Sequence, residues 1–147
     1  MRGLKRIATT AGVSVALLLL AQTALAANPH FIGTPTATQV GSTLTVSFKA
    51  AGLGNVETAD FTLSGEAVVS SRCYTKSGNK PQAANKQETA SLSTSETFPV
   101  RNGQTTGTIT LTAPEPTLEC PPGQIRVTES VTFQNVVLSG MGLTHSF

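Results

Sequence analysis

The chain has 147 residues, 10 Lys+Arg against 8 Asp+Glu, two cysteines, no Trp and 5% aromatic residues. Three of its basic residues (Arg2, Lys5, Arg6) fall in an N-terminal stretch without acids, so residues 27–147 carry 7 basic and 8 acidic side chains, a formal charge of −1. That balance excludes a general electrostatic drive toward nucleic acid, and so few aromatics leave little for a sugar-stacking platform.

The first residues read as a secretory signal. A basic start precedes an apolar run from Val13 to Ala21 containing Leu17–Leu20, and Ala24-Leu25-Ala26 supplies the small residues of a cleavage site. The apolar run falls well short of the roughly 20 residues that span a bilayer. Residues 1–26 are therefore expected to be a signal peptide and 27–147 one domain, secreted and without a membrane anchor. Of those 121 residues, 12 are Ser and 20 are Thr. Thr is β-branched and tolerates the solvent face of a sheet, so the composition favours half-buried strands over helices.

After Asn28-Pro29-His30-Phe31 and the donor-less Thr34-Pro35, Thr36–Thr38 is expected to face Ser42–Ala50 across Gln39-Val40-Gly41. Leu44, Val46, Phe48 and Ala50 share one parity, the signature of a half-buried strand. From Ala59, the odd positions run Ala59, Phe61, Leu63, Gly65, Ala67, Val69, Ser71, Cys73. This predicts a long strand whose core-facing side includes Cys73. The segment from Lys76 to Lys86 is expected to be an ordered loop, with a strand resuming over 87–100. Asn102-Gly103 predicts a type I′ turn. With it comes a hairpin in which Val100 faces Thr105, Phe98 faces Gly107 and Glu96 faces Ile109. A proline-rich crossing follows over 113–123. Gln124–Leu138 then alternates as a last long strand with Ile125, Val127, Val131, Phe133 and Val137 on one side, and a short edge strand lies in 139–147. About seven short strands at this spacing predict an all-β, antiparallel immunoglobulin-like sandwich, with a small closed barrel as the alternative.

Two cysteines in an exported chain predict one disulfide, Cys73–Cys120. It closes a 48-residue loop, for which chain entropy gives at most about 4 kcal/mol. Buried parity suits a structural bridge better than a reactive thiol.

Sites are sparse. Lys76, Asn79, Lys80, Gln82, Asn85 and Lys86 place ammonium and amide groups together after Cys73, a candidate loop for an anionic or sugar-like ligand or a protein partner. The competing reading is a surface loop whose amides bond their own backbone. Glu96 and Glu129 fall on apolar parities; an acid/base pair of the glycosidase kind is one reading, a bulge or a strand end reaching solvent the other. The only histidines, His30 and His145, lie near opposite ends of the domain. There is no Gly-x-Ser-x-Gly elbow, no phosphate-cradling glycine loop and no Asn-x-Ser/Thr acceptor. No catalytic residue, metal site or cofactor is expected.

Asn28-Pro29-His30-Phe31, Ala51-Gly52-Leu53-Gly54-Asn55, the run Gly78–Lys86 and Cys120-Pro121-Pro122-Gly123-Gln124 together resemble a group of small secreted proteins found mainly in soil bacteria such as actinomycetes. The resemblance covers most of residues 27–147. It implies export and a loop-plus-disulfide design, and it brings no activity, ligand or catalytic residue with it. The functional expectation is a secreted, non-catalytic binding, surface or interaction module. The alternatives are an extracellular effector or inhibitor presenting residues 76–86 to a macromolecular partner, and a small extracellular hydrolase.

Overall fold

A computed structural model describes residues 27–147; the expected signal peptide lies outside them. Eight strands follow one another without a helix: β1 (His30–Phe31), β2 (Thr36–Val40), β3 (Thr43–Ala51), β4 (Thr58–Thr75), β5 (Pro81–Pro99), β6 (Thr105–Thr112), β7 (Gln124–Gly140) and β8 (Leu143–Ser146). They form two separate antiparallel sheets, so the sandwich holds and the closed barrel does not. In the smaller sheet β3 is central, with β6 along one side and β1 and β2 in succession along the other. The larger sheet has the order β5-β4-β7-β8. The chain passes between the sheets after β3, after β5 and again after β6, the Greek-key connectivity of immunoglobulin-like sandwiches.

The strands are not uniformly short. β4, β5 and β7 have 18, 19 and 17 residues, against 9 and 8 for β3 and β6. At about 3.3 Å per residue the larger sheet runs roughly twice as far as the smaller one. Its near half packs on β3 and β6, burying Phe61, Leu63 and Leu138 against Val46, Phe48, Ile109 and Leu111. The Phe48 ring lies 4.5 Å from that of Phe61 and 5.4 Å, edge-on, from that of Phe98. The far half projects past the smaller sheet, with the inward face of Ala67, Val69, Ser71 and Cys73.

The Asn102-Gly103 turn forms as expected, with φ of 53° and 72° and reciprocal backbone bonds between Arg101 and Gln104 of 2.9 and 3.0 Å. The hairpin beyond it does not. β5 belongs to the larger sheet and β6 to the smaller, so the chain changes sheets at the turn. Val100 N instead donates to Glu57 O, and Thr105 Oγ1 to Pro99 O. Phe98 and Gly107 do meet, but across the core: a Cβ on Gly107 would stand 2.8 Å from Phe98 Cε1 and 2.6 Å from Phe48 Cζ. Side chains that face each other across a sandwich carry the same apolar signal as side chains paired within a sheet.

Two further expectations shift. The β2–β3 turn is the two-residue Gly41-Ser42, since Val40 pairs with Thr43 and Gly41 takes the positive φ (57°) of a type II′ first position. Along β7, bulges against Ser64/Glu66 and Ser70/Ser71 reset the alternation. Val136 replaces Val137 in the core. Ile125 and Val127 lie opposite Tyr74 and Arg72, away from the face of Cys73. The expected edge strand at the end of the chain is β8.

Candidate functional site

Burial of the far half is the work of the proline-rich crossing, residues 113–123. Its small and rigid residues keep it close and extended. Ala113 N bonds Ser42 O at 2.8 Å where the crossing leaves the smaller sheet. Ala113 packs on Ala67 and Val69, and Pro116 is buried beside it.

Three strands of the larger sheet then hold the crossing like a strap. On β5, Glu88 accepts the Thr117 N–H at 2.7 Å and the Thr117 hydroxyl, while Lys86 Nζ donates to Thr117 Oγ1 at 2.6 Å and lies 3.2 Å from Glu88 Oε1. On β7, Arg126 Nη1 donates to Leu118 O at 3.3 Å. On β4, Cys73 is bonded to Cys120, with Cα atoms 5.6 Å apart. The expected disulfide is present, and it ties the strap to the sheet. The Thr117 hydroxyl and amide, followed by Lys86, bring the Glu88 carboxyl down to about 2.

The strap leaves a cleft on each side. The larger, of about 370 Å³, lies between the strap and β7 and is lined by Gly41, Ser42, Val69, residues 113–116 and residues 128–131. The smaller, of about 140 Å³, lies toward β5 beside Val69, Glu88 and Thr89–Ala90. Gln39 Nε2 donates at 2.8 Å to the carbonyl of Val131, one of the residues that line the first. Its polar lining residues are Ser42, Glu115, Thr128, Glu129 and Ser130.

The structure divides the six residues expected in one loop. Only Lys76–Lys80 is a turn; Pro81–Lys86 is strand, pairing with Tyr74, Arg72 and Ser71. Lys76, Asn79 and Lys80 are exposed at the tip. The Gln82 amide bonds Lys80 O and Pro81 O, and the Asn85 amide bonds Ala83 O at 2.9 Å. The amides thus serve their own backbone. Lys86, opposite inward-facing Ser71, holds the strap and does not belong to the tip.

Glu96 and Glu129 do not form an acid/base pair. Glu96 is exposed on β5 opposite Phe61, and Glu129 occupies the β7 bulge beside Ser70 and Ser71. From Phe61 to Ser70 the strand rises about 30 Å, against the roughly 5–9.5 Å that glycosidase carboxylates need. Glu129 instead accepts from Tyr74 Oη at 2.9 Å and lies 3.2 Å from Arg72 Nε, an ion pair outside hydrogen-bond alignment. The bond to Glu129 raises the Tyr74 phenol above its ordinary value. His145 stacks edge-on with Phe147 and Phe31, and His30 Nδ1 lies 2.9 Å from Asn28 O. Among the described residues no three His, Cys, Asp or Glu side chains converge as a metal site would require.

Glu88, Thr117 and Arg126 escaped the sequence reading. The alternation Ala84, Lys86, Glu88, Ala90, Leu92 would have found Glu88 once Gly78-Asn79 was taken as the turn. In comparisons with protein-family models, curated proteins and solved structures, nothing matches this chain.

Proposed function

We propose that this chain is an exported, non-catalytic β-sandwich module that binds a polar, neutral or cationic ligand in the cleft between the strap and β7. The observation that carries the reading is the strap itself. An irregular segment tied to three strands by a disulfide, a carboxylate–threonine pair and a guanidinium makes a fixed concave wall on an otherwise open sheet. The cleft volume of about 370 Å³ falls within the range of small-ligand sites. Glu115 and Glu129 are its acidic lining residues, and Ser42, Thr128 and Ser130 its hydroxyl-bearing ones. Export is supported by the pattern of residues 1–26 and is compatible with the disulfide.

A second reading rests on a different observation. Lys76 and Lys80 stand exposed at the hairpin tip without an ion-pair or hydrogen-bond partner for their ammonium groups among the described residues. This would suit an effector or inhibitor that presents the tip to an acidic macromolecule.

A glycan array and a pull-down from culture supernatant, run with three proteins, separate the two. Thr128→Trp fills the cleft from an exposed inward-facing position; Lys76→Ala with Lys80→Ala strips the tip. Loss of binding only in the first supports the cleft, and loss only in the second supports the tip. A ligand retained by both variants removes both readings.

A further inference from the structure

The two edges of the larger sheet are finished differently. Along the β7 side, β8 covers Val137–Gly140, Phe147 N bonds Val136 O at 3.0 Å and Gln39 bonds Val131 O. Bulges at Glu129 and Asn135 bend what is left. These are the usual devices that stop an edge from recruiting another strand.

The β5 edge has neither a covering segment nor a bulge over its central part, and its inward-parity charges, Glu88 and Glu96, are the only guards there. From Asn85 to Pro99 it pairs with β4 without a register shift, and Gln87–Phe98 contains neither Pro nor Gly. Alternate residues there turn their N–H and C=O groups away from β4. The side-chain bonds that reach β5 carbonyls fall at Pro81, Ala83, Lys86 and Pro99, outside this stretch. Among the described residues no strand lies against this edge.

We propose that two copies of the chain join edge to edge through β5, antiparallel about a two-fold axis at Ser91, so that two four-stranded sheets become one. Charge and the length of paired strand together choose the register: an axis at Gln87 also sets Lys86 opposite the partner's Glu88 but pairs only Pro81–Ser93, across the irregular segment before Asn85. Keeping inward faces inward allows only even shifts between the strands. With the axis at Leu92, Glu88 stands opposite Glu96 of the partner subunit, twice. With the axis at Ala90, Glu88 meets the partner's Leu92 and no charge finds a counterpart. With the axis at Ser91, Lys86 stands opposite Glu96 of the partner subunit, twice, and Ala83–Pro99 stays paired. Opposite charges in directly facing positions stabilise a strand pair and like charges destabilise it. The Lys86 side chain is 47% exposed beside Glu88 and is free to take a second carboxylate. Pro81 and Pro99 end the strand on both sides, and the two-fold axis uses up both β5 edges, so the assembly closes at two copies.

Sedimentation or light scattering of residues 27–147 in sub-millimolar solution is the first test, with a dimer expected. Glu96→Lys turns both attractive pairs repulsive and is expected to weaken association about tenfold or more. The register is read by cross-linking, which is clean because the wild-type chain has no free thiol. Ser91→Cys sits on the axis and is expected to form an intermolecular disulfide on mild oxidation. Ser93→Cys, displaced from the axis, stays reduced alone and links only to Thr89→Cys in a mixture. A monomeric wild type overturns the proposal, as does a dimer in which Ser93→Cys links with itself and Ser91→Cys does not.

Discussion

The near and far halves of the larger sheet use the same strands and are held by different forces. In the near half, Phe61, Leu63 and Leu138 meet a second sheet, and the interior is a stack of aromatic and branched side chains. In the far half the inward side chains of the central strand β4 shrink to Ala67, Val69, Ser71 and Cys73, flanked by Val131 and Phe133, and what meets them is a single irregular segment. Small side chains bring the strap close but bury little area. Its attachment therefore depends on one covalent bond and on the polar contacts at Thr117 and Leu118. One half should answer to lost volume, the other to reduction and acid.

The largest effect expected is in the near half. Phe61→Ala should cost about 3–5 kcal/mol, the range for deleting a fully buried ring that its neighbours cannot replace. Val69→Ala removes less surface beneath a cover that can settle onto it, and about 2 kcal/mol or less is expected. Urea unfolding of the two variants provides the comparison. Equal losses would mean that the strap packs as tightly as a second sheet does.

Breaking the Cys73–Cys120 bond comes next. For a sequence separation of 47 the chain-entropy loss is at most about 4 kcal/mol. The sharper readout is where protection from hydrogen exchange disappears. After reduction, or in Cys120→Ala, amides of residues 67–73, Ala113 and Thr117 should open while those of Val46, Phe48, Ile109 and Leu111 stay protected. Uniform loss across both sheets would show one cooperative unit and erase the distinction between the halves.

How much of this could be read from the sequence follows the same division. β3, the long β4 alternation, Cys73 on the buried parity and the Cys73–Cys120 pairing were all legible, because each depends on local periodicity or on there being only two cysteines. The Asn102-Gly103 turn was legible too, but not the sheet to which its second arm belongs. A positive-φ turn fixes four residues, whereas sheet membership depends on distant partners, here Ala50 for Thr105 and Ala59 for Phe98. The face of Ile125 and Val127 was lost for a related reason. The bulge at Glu129 is a two-against-one pairing with β4, and nothing in the composition of β7 announces it. The run 81–86, poor in branched and aromatic residues, looked unlike a strand. Its pairing with β4 overrides that propensity. The strap contacts were hardest, since Lys86, Glu88, Thr117 and Arg126 come from three separate segments.

The smallest predicted effect isolates the polar part of the strap. With its folded value near 2 against an ordinary 4.5, Glu88 is ionised in both folded and unfolded chains at neutral pH, and its full contribution is present there. That contribution falls as pH drops through the window from about 4.5 to about 2, where the unfolded chain takes up the proton first. Glu88→Gln should therefore melt below the wild type at pH 7, and the gap should close toward pH 2. Because Glu88 grips the Thr117 amide, protonation should also expose that amide to exchange before the near half loosens. A melting gap that does not vary with pH, or a Thr117 amide that stays protected until global unfolding, would leave the disulfide and Arg126 as the ties that hold the far half closed.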